Sequence, residues 1–303
     1  MTVLTFALGF CMARVSLCAV ATVRLAVVER QFGGLAALVV ACAAAGLVLL
    51  SVGLRWPALD RLPAGPALGA PLLLGGTLLG VGALVNGGCY LSSVSYIGRG
   101  NFHYLFTLAG FALAAVWLQG RAPVVVTERD RFLPVSAGLL SFAAVAGAAL
   151  WRLRRAVPRT AGLLRQAWPW PLAALFCGLI AAAVNLLEPG WSYARFLEAL
   201  ATRTAPMVML ALPAVAIFTG AIVSSLLMHA FEPVPLSALR AARCLAGGVI
   251  MGAAAHLIPG GNDTLLLWAV PWLAWYGLIA YALMLATLAL AFAAARLSVG
   301  MRR

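Results

Sequence analysis

Residues 75–100 read GGTLLGVGALVNGGCYLSSVSYIGRG. The stretch begins as an apolar helix and ends as something that cannot face lipid. Asn86-Gly87-Gly88 interrupts the helical pattern, Cys89 follows, then the hydroxyls Ser92, Ser93 and Ser95, then Gly98-Arg99-Gly100. Apolar runs on both sides place this polar segment at or near membrane depth. Non-helical backbone is tolerated there only when buried in protein or lining a wet cavity. The plainer alternative is a short loop between two spans.

The pattern returns at residues 247–263, GGVIMGAAAHLIPGGND. A shift of 172 positions aligns Gly75, Gly76, Gly80, Ala83 and Gly88 with Gly247, Gly248, Gly252, Ala255 and Gly260. Both copies hold a Gly-x-x-x-Gly, which lets helices approach closely, and both end in a helix-breaking Gly-Gly. Paired interrupted segments in two halves of a membrane chain point to a transport site.

Composition agrees with that class. The chain has 303 residues, is 64% hydrophobic and 10% charged, which predicts an all-α polytopic membrane protein. Its formal charge is +13, and all 21 basic residues are Arg. They sit between apolar runs with no basic domain, so they read as topology signals and anion attraction, not as a nucleic-acid surface. Without Lys, no G-x-x-x-x-G-K nucleotide loop can exist. The six Cys show no C-x-x-C and no zinc spacing, so neither metal nor cofactor is expected. Cys42, Cys177 and Cys244 read as small core residues. The first 28 residues lack a basic start and a cleavage site.

Nine apolar elements are marked at about 3–28, 33–54, 69–96, 102–119, 132–151, 169–188, 206–230, 242–275 and 277–296. The third and eighth are the broken ones. If each element crosses once, the copies form an inverted repeat; if the broken ones are re-entrant, the copies are parallel. Residues 152–165 carry Arg152, Arg154, Arg155, Arg159 and Arg165 with no acid. This loop divides a half at 1–151 from one at 169–303, with 152–168 as linker. The positive-inside rule assigns it, and the C-terminus with Arg296, Arg302 and Arg303, to the cytoplasm. Residues 55–68 read as a Pro-rich connection, 121–131 as a solvated loop, and 188–204 as an amphipathic surface helix or loop.

Individual residues carry competing readings. Arg14 would lie near the middle of a 3–28 span, where it costs roughly 2.5–3.5 kcal/mol and normally faces a cavity. Cys18, four residues on, would then share its helical face. A cation and a thiol on one buried face suit a soft anion. Alternatively the span begins after Arg14, which snorkels to the interface. Arg24 and Arg30 read as interfacial. Asp263 could coordinate a cation, carry a proton or cap the helix of residues 264–270, capping being the natural role of Asp, Asn and Thr. His256 reads as a core histidine, although its titration range suits proton coupling. The hydroxyls of Thr219, Ser224 and Ser225 either face a pore or back-bond within their helix.

Three of these stretches resemble the YeeE/YedE family of bacterial inner-membrane sulphur-transport proteins, whose characterised members take up thiosulfate. They are Arg14-Val15-Ser16-Leu17-Cys18-Ala19-Val20-Ala21, then Gly80–Gly100 with Gly87-Gly88-Cys89, then Leu257-Ile258-Pro259-Gly260-Gly261-Asn262-Asp263. The resemblance implies an inverted-repeat helical protein in which short broken helices meet near the midplane. It also implies passage of thiosulfate along cysteine thiols by S–H hydrogen bonding. Cys18 and Cys89 match two of the relay cysteines. The third belongs to a second Gly-Gly-Cys, and here that place reads Gly260-Gly261-Asn262. The Asn262 amide can still donate to an oxyanion, but another sulphur oxyanion or small anion is equally open.

The expected function is therefore a bacterial inner-membrane transporter or facilitator for thiosulfate or a related sulphur-containing anion. Its path would use Cys18, Cys89, Asn262, Arg14, Asp263 and Ser92, with backbone breaks at Gly87, Gly88, Gly260 and Gly261. A cytoplasmic sulphur carrier or sulphurtransferase is a candidate partner. The alternatives are a membrane-embedded sulphur-transfer protein with Cys89 as its reactive thiol, a channel subunit for another small anion, and a non-transporting scaffold.

Overall fold

Buried in an apolar medium, a backbone must satisfy its own polar groups, and helices do this locally. In the computed structural model of the protein, all residues are described except 16, 120–126, 157–165, 203–206 and 301–303. Ser16, Arg121, most of the basic loop (Arg159 and Arg165 included) and the terminal Arg302 and Arg303 thus lie outside the described residues. The described residues are mostly helical: α1 (Thr2–Met12), α2 (Ala19–Val28), α3 (Gly33–Arg55), α4 (Ala70–Asn86), α5 (Tyr90–Gly98), α6 (Tyr104–Leu118) and α7 (Val135–Ala156) come first. They are followed by α8 (Trp170–Leu187), α9 (Tyr193–Thr202), α10 (Met207–Leu227), α11 (Ala238–Leu257), α12 (Asn262–Thr264) and α13 (Trp275–Gly300). A single π-turn, Leu265–Ala269, prolongs α12. Six helical stretches among the described residues are long and apolar enough to cross a membrane, one of them formed by α4 and α5 together. The chain is an all-α polytopic membrane protein.

The 172-residue shift extends far beyond the glycines. It carries α1 onto α8, α2 onto α9, α3 onto α10, α4 onto α11, α5 onto α12 with its π-turn, and α6 onto α13, leaving α7 unmatched. The packing repeats as well. In α4, Gly76 and Gly80 lie against Ala280, Met284 and Thr287 of α13; in α11, the equivalent Gly248 and Gly252 lie against Thr107, Phe111 and Ala114 of α6. The two repeat helices also pack on each other and run antiparallel, since Gly82 meets Gly247 while Gly75 meets Ile258. An inverted repeat requires that antiparallel relation. Small residues let these backbones touch, and close van der Waals packing replaces the hydrophobic driving force that lipid cannot supply.

Contacts define two ends of the molecule. At one, the Arg296 guanidinium donates to the Val27 carbonyl at 2.9 Å, the Arg14 guanidinium to that of Gln166 at 2.8 Å, and Gly33 adjoins Trp170. The C-terminal helix end and the linker end of α8 therefore share this side. At the other, strand Gly65–Pro66 pairs antiparallel with Thr127–Glu128, and Arg131 forms an ion pair with Asp60. Residues 60–66 of the connection and 127–131 of the loop are thus tied together.

Three expectations need correction. The element at 3–28 is two helices separated at residues 13–18, so Arg14 and Cys18 do not share a helical face. The helix within 188–204 is not a surface element throughout, because its first turn is buried: Tyr193 and Ala194 are each 2% exposed. Asp263 does not cap: Gly261 is the N-cap, and no side chain caps it.

Candidate functional site

Two helix breaks meet at the centre. At the first, α1 stops at Met12 and α2 starts after Cys18. The freed carbonyls are taken up by α5: Ser95 Oγ donates to Met12 O at 2.8 Å and Arg99 Nη2 to Ala13 O at 3.1 Å. At the second, α4 ends in Gly87, which adopts φ 74°, a left-handed conformation natural to glycine. Asn86 fixes the turn, its Nδ2 donating to Gly88 O at 2.6 Å while its Oδ1 accepts from Thr107 at 2.6 Å. Helix α5 then starts with Cys89 as its N-cap.

The two breaks bring two thiols together. Cys89 Sγ accepts the Ala19 N–H at 3.4 Å, in the first turn of α2. The same Sγ donates to the Leu17 carbonyl at 3.9 Å, so the Cys89 thiol is seated against the residues on either side of Cys18. Around them, the Tyr96 hydroxyl donates to Cys18 Sγ at 3.9 Å, and the Ser92 hydroxyl lies 3.6 Å from Cys89 Sγ while donating to Cys89 O at 2.7 Å. Ser92 therefore positions the N-terminal turn of α5. Cys18 is 3% exposed and Cys89 is fully buried, so the centre is closed to both sides. The stacked pair Tyr96 and Tyr104, with centroids 4.4 Å apart, covers Gly88.

The second repeat supplies a third break. Here α11 ends at Leu257, Gly260 turns the chain at φ 96°, and Asn262 begins α12. Asn262 is 1% exposed. Its Oδ1 accepts the Leu91 N–H at 3.2 Å, satisfying an amide in the first turn of α5. Its Nδ2 is buried without a hydrogen-bond partner. Asp263 lies one residue further and lines a small cavity with Ser192 and Thr264, a cavity that neither Cys18 nor Cys89 lines.

The structure thus brings Cys18, Cys89 and Ser92 together, with Asn262 joined through α5. It takes Arg14 elsewhere: its guanidinium stacks on Phe10 and Trp168, 4.4 and 5.0 Å from the ring centroids, and reaches Gln166. Arg99 is the cation that braces the thiol-bearing break. Sequence reasoning missed Tyr96, although Cys89, Ser92 and Tyr96 follow the i, i+3, i+7 spacing of one helical face. It also missed the partners Thr107, Tyr193 and Asn185, for which no local signal exists. Among the hydroxyls of α10, Thr219 back-bonds to Ala216 O at 2.9 Å, while Ser224 and Ser225 are buried without partners.

Broken helices converging on a closed polar centre define a membrane transport protein. Residues 14–290 match the sulphur-transport family model, nearly the whole chain, and the chain belongs to that family. Comparison with curated protein sequences gives no match. A sulphur-transport role and a sulphur-containing anion as substrate follow from the family.

Proposed function

We propose that the protein moves thiosulfate or a closely related sulphur oxyanion across the bacterial inner membrane through the Cys18–Cys89–Asn262 centre. One observation carries this reading: the Cys89 thiol, seated between Leu17 and Ala19 beside Cys18, and one unpartnered amide, Asn262 Nδ2, are buried at the N-terminus of α5. A buried amide left without a partner costs roughly 1–3 kcal/mol, a cost that an oxyanion accepting that hydrogen would remove. Thiols are weak donors, and several weak sites in sequence let an ion leave as well as enter. The N-termini of α2 and α5 add fixed positive potential at the same point.

In this reading the linker end faces the cytoplasm. The exposed Arg152 and Arg154 in the last turns of α7 and Arg296 in α13 fall on that side by the positive-inside rule. The two halves, 1–151 and 169–303, are joined by the 152–168 linker, and a cytoplasmic sulphur carrier or sulphurtransferase would take the delivered ion. Arg14, beside the linker, would act at the mouth of the path, by drawing anions toward the centre.

The test is uptake of radiolabelled thiosulfate into proteoliposomes of purified protein. Saturable uptake, reduced by excess sulfite or unlabelled thiosulfate but not by chloride, is expected. Well-folded protein that takes up no sulphur oxyanion would contradict the proposal.

A further inference from the structure

The inverted repeat pairs each half-helix of the thiol centre with one in the other half. Cys18 caps α2 and Cys89 caps α5; their counterparts are the segments that open α9 and α12. In the second half those segments carry Ser192 and Asp263-Thr264. By the 172-residue shift Cys18 and Cys89 fall on Gly190 and Gly261, and two residues beyond each of these stand a hydroxyl, Ser192, and a carboxyl, Asp263.

This pair lines a cavity of about 30 Å3, room for one water by the usual measure. Asp263 is 6% and Thr264 8% exposed. Three buried polar atoms of the lining have no hydrogen-bond partner: Asp263 Oδ1, Thr264 Oγ1 and Trp191 Nε1. The Asn185 amide is already used, its Oδ1 accepting the Gly190 N–H at 3.1 Å. Every element around the carboxyl can be named. The cavity that it lines is walled by Leu91 of α5 and Tyr193 of α9, by Leu8 and Met12 of α1, Ala181, Val184 and Asn185 of α8, Ile217 of α10, and Leu267 and Trp268 of the π-turn, and the Tyr90 phenol lies within reach of the carboxyl's charge. No Arg or His lines the cavity, and the Arg195 guanidinium is held outside by Pro189 O and Gly190 O at 3.1 and 3.3 Å.

We propose that Asp263 is a proton-carrying site, coupled to the anion centre through its neighbour Asn262. Even beside the Ser192 and Thr264 hydroxyls, an ionised carboxylate in a buried, mostly apolar cavity with no cation is costly, and protonation lowers that cost. A metal ion would need a shell of oxygens, while the lining is largely apolar and aromatic; among the described residues no group of three His, Cys, Asp or Glu could hold one. Asn262 links the two sites: its Oδ1 is anchored on α5, and its Nδ2 is the donor assigned to the oxyanion. An anion held there and a negative carboxylate on the next residue repel in a low dielectric. Anion binding therefore favours the protonated acid, and by linkage protonation favours anion binding. No bond to sulphur forms or breaks; one proton binds Asp263 from one side and leaves to the other with the anion.

The inference rests on the anion-transport reading, and the experiment separates the two. Wild type and Asp263→Asn are compared in proteoliposomes for thiosulfate counterflow at equal pH and for accumulation driven by an inward proton gradient. Infrared difference spectra of both proteins are recorded without substrate. The expectation is that wild type accumulates thiosulfate with the gradient, whereas the variant retains counterflow and loses gradient-driven accumulation at least tenfold. A protonated-carboxyl band, absent in the variant, is expected in wild type on acidification. Gradient-driven accumulation that persists in the variant, or that requires sodium, overturns the assignment. So does a wild-type protein without the carboxyl band, a result that stands even if Asp263→Asn fails to fold. Loss of counterflow in the wild type itself contradicts the anion reading instead.

Discussion

Asn262→Ala separates two jobs that one side chain performs. Its Oδ1 satisfies the Leu91 N–H at 3.2 Å, and its Nδ2 is the unpartnered donor. Removing the acceptor leaves a buried backbone amide orphaned, which costs about 1–3 kcal/mol of stability. Removing the donor forfeits a hydrogen bond to a charged oxyanion, worth about 1.5–3 kcal/mol, or about 10- to 100-fold in affinity. The first effect is read as a lowered melting temperature in detergent, the second as a raised half-saturation in thiosulfate counterflow. Asn262→Ser, whose shorter hydroxyl cannot reach both partners, should fall between. If Asn262→Ala melts earlier but binds the anion with unchanged affinity, Asn262 is only a cap for α5 and its assignment to the path is wrong.

Other expectations follow from the packing and the charge pattern. Gly248→Ala places a methyl on the Thr107 carbonyl oxygen, part of the α6 backbone, whereas in Gly76→Ala the nearest atoms, Ala280 O and Leu283 Cβ, stand at 2.9 Å. Overpacking of this kind costs about 1–3 kcal/mol, so both should lower the melting temperature, Gly248→Ala more. Stability should also depend on pH through His103, just before α6. Its Nε2 accepts the Ser237 N–H at 2.8 Å and its Nδ1 lies 2.9 Å from Asn101 Oδ1, an arrangement for the neutral ring. Burial, then Arg240, holds its pKa below the usual 6.5. The unfolded chain therefore binds the proton first: stability is complete above about pH 6.5 and falls as pH drops through the lowered folded value. His103→Gln should flatten that slope in pH-dependent melts. Arg14→Lys keeps the charge but loses the planar stack on Phe10 and Trp168, which is not a conservative change. It should destabilise the α1–α2 break while leaving the half-saturation for thiosulfate within about twofold, as befits a side chain turned away from the thiols.

Hydropathy made the crossing helices and their repeat legible, because lipid leaves a chain few other options. Gly87-Gly88 and Gly260-Gly261 announced their breaks, since Gly87 and Gly260 turn the chain at φ 74° and 96°, a region that favours glycine. The break at residues 13–18 has no such mark. Its sequence carries neither Gly nor Pro, and the helix opens because Ser95 and Arg99 of α5 capture the carbonyls of Met12 and Ala13. That contact also explains why helical spacing misplaced Arg14 relative to Cys18. Cys18 and Cys89, 71 positions apart, could be related from the sequence only by resemblance; the structure joins them through the Ala19 amide. The Asp263 cavity was beyond sequence reasoning, because its wall comes from several separate helices. What the shift of 172 positions did carry, once extended past the glycines, was the correspondence between the helices of the two halves.

The central claim is that buried thiols conduct the anion, and the most direct measurement is initial-rate thiosulfate uptake by Cys89→Ala beside wild type and Cys42→Ala. All three should reconstitute in equal amount with similar melting temperatures, since Cys42 is a buried packing residue of α3 and Cys89 Sγ makes only weak hydrogen bonds. Cys42→Ala should transport like wild type and Cys89→Ala should not transport. Unchanged uptake in Cys89→Ala would contradict the claim and move the path away from the thiol centre.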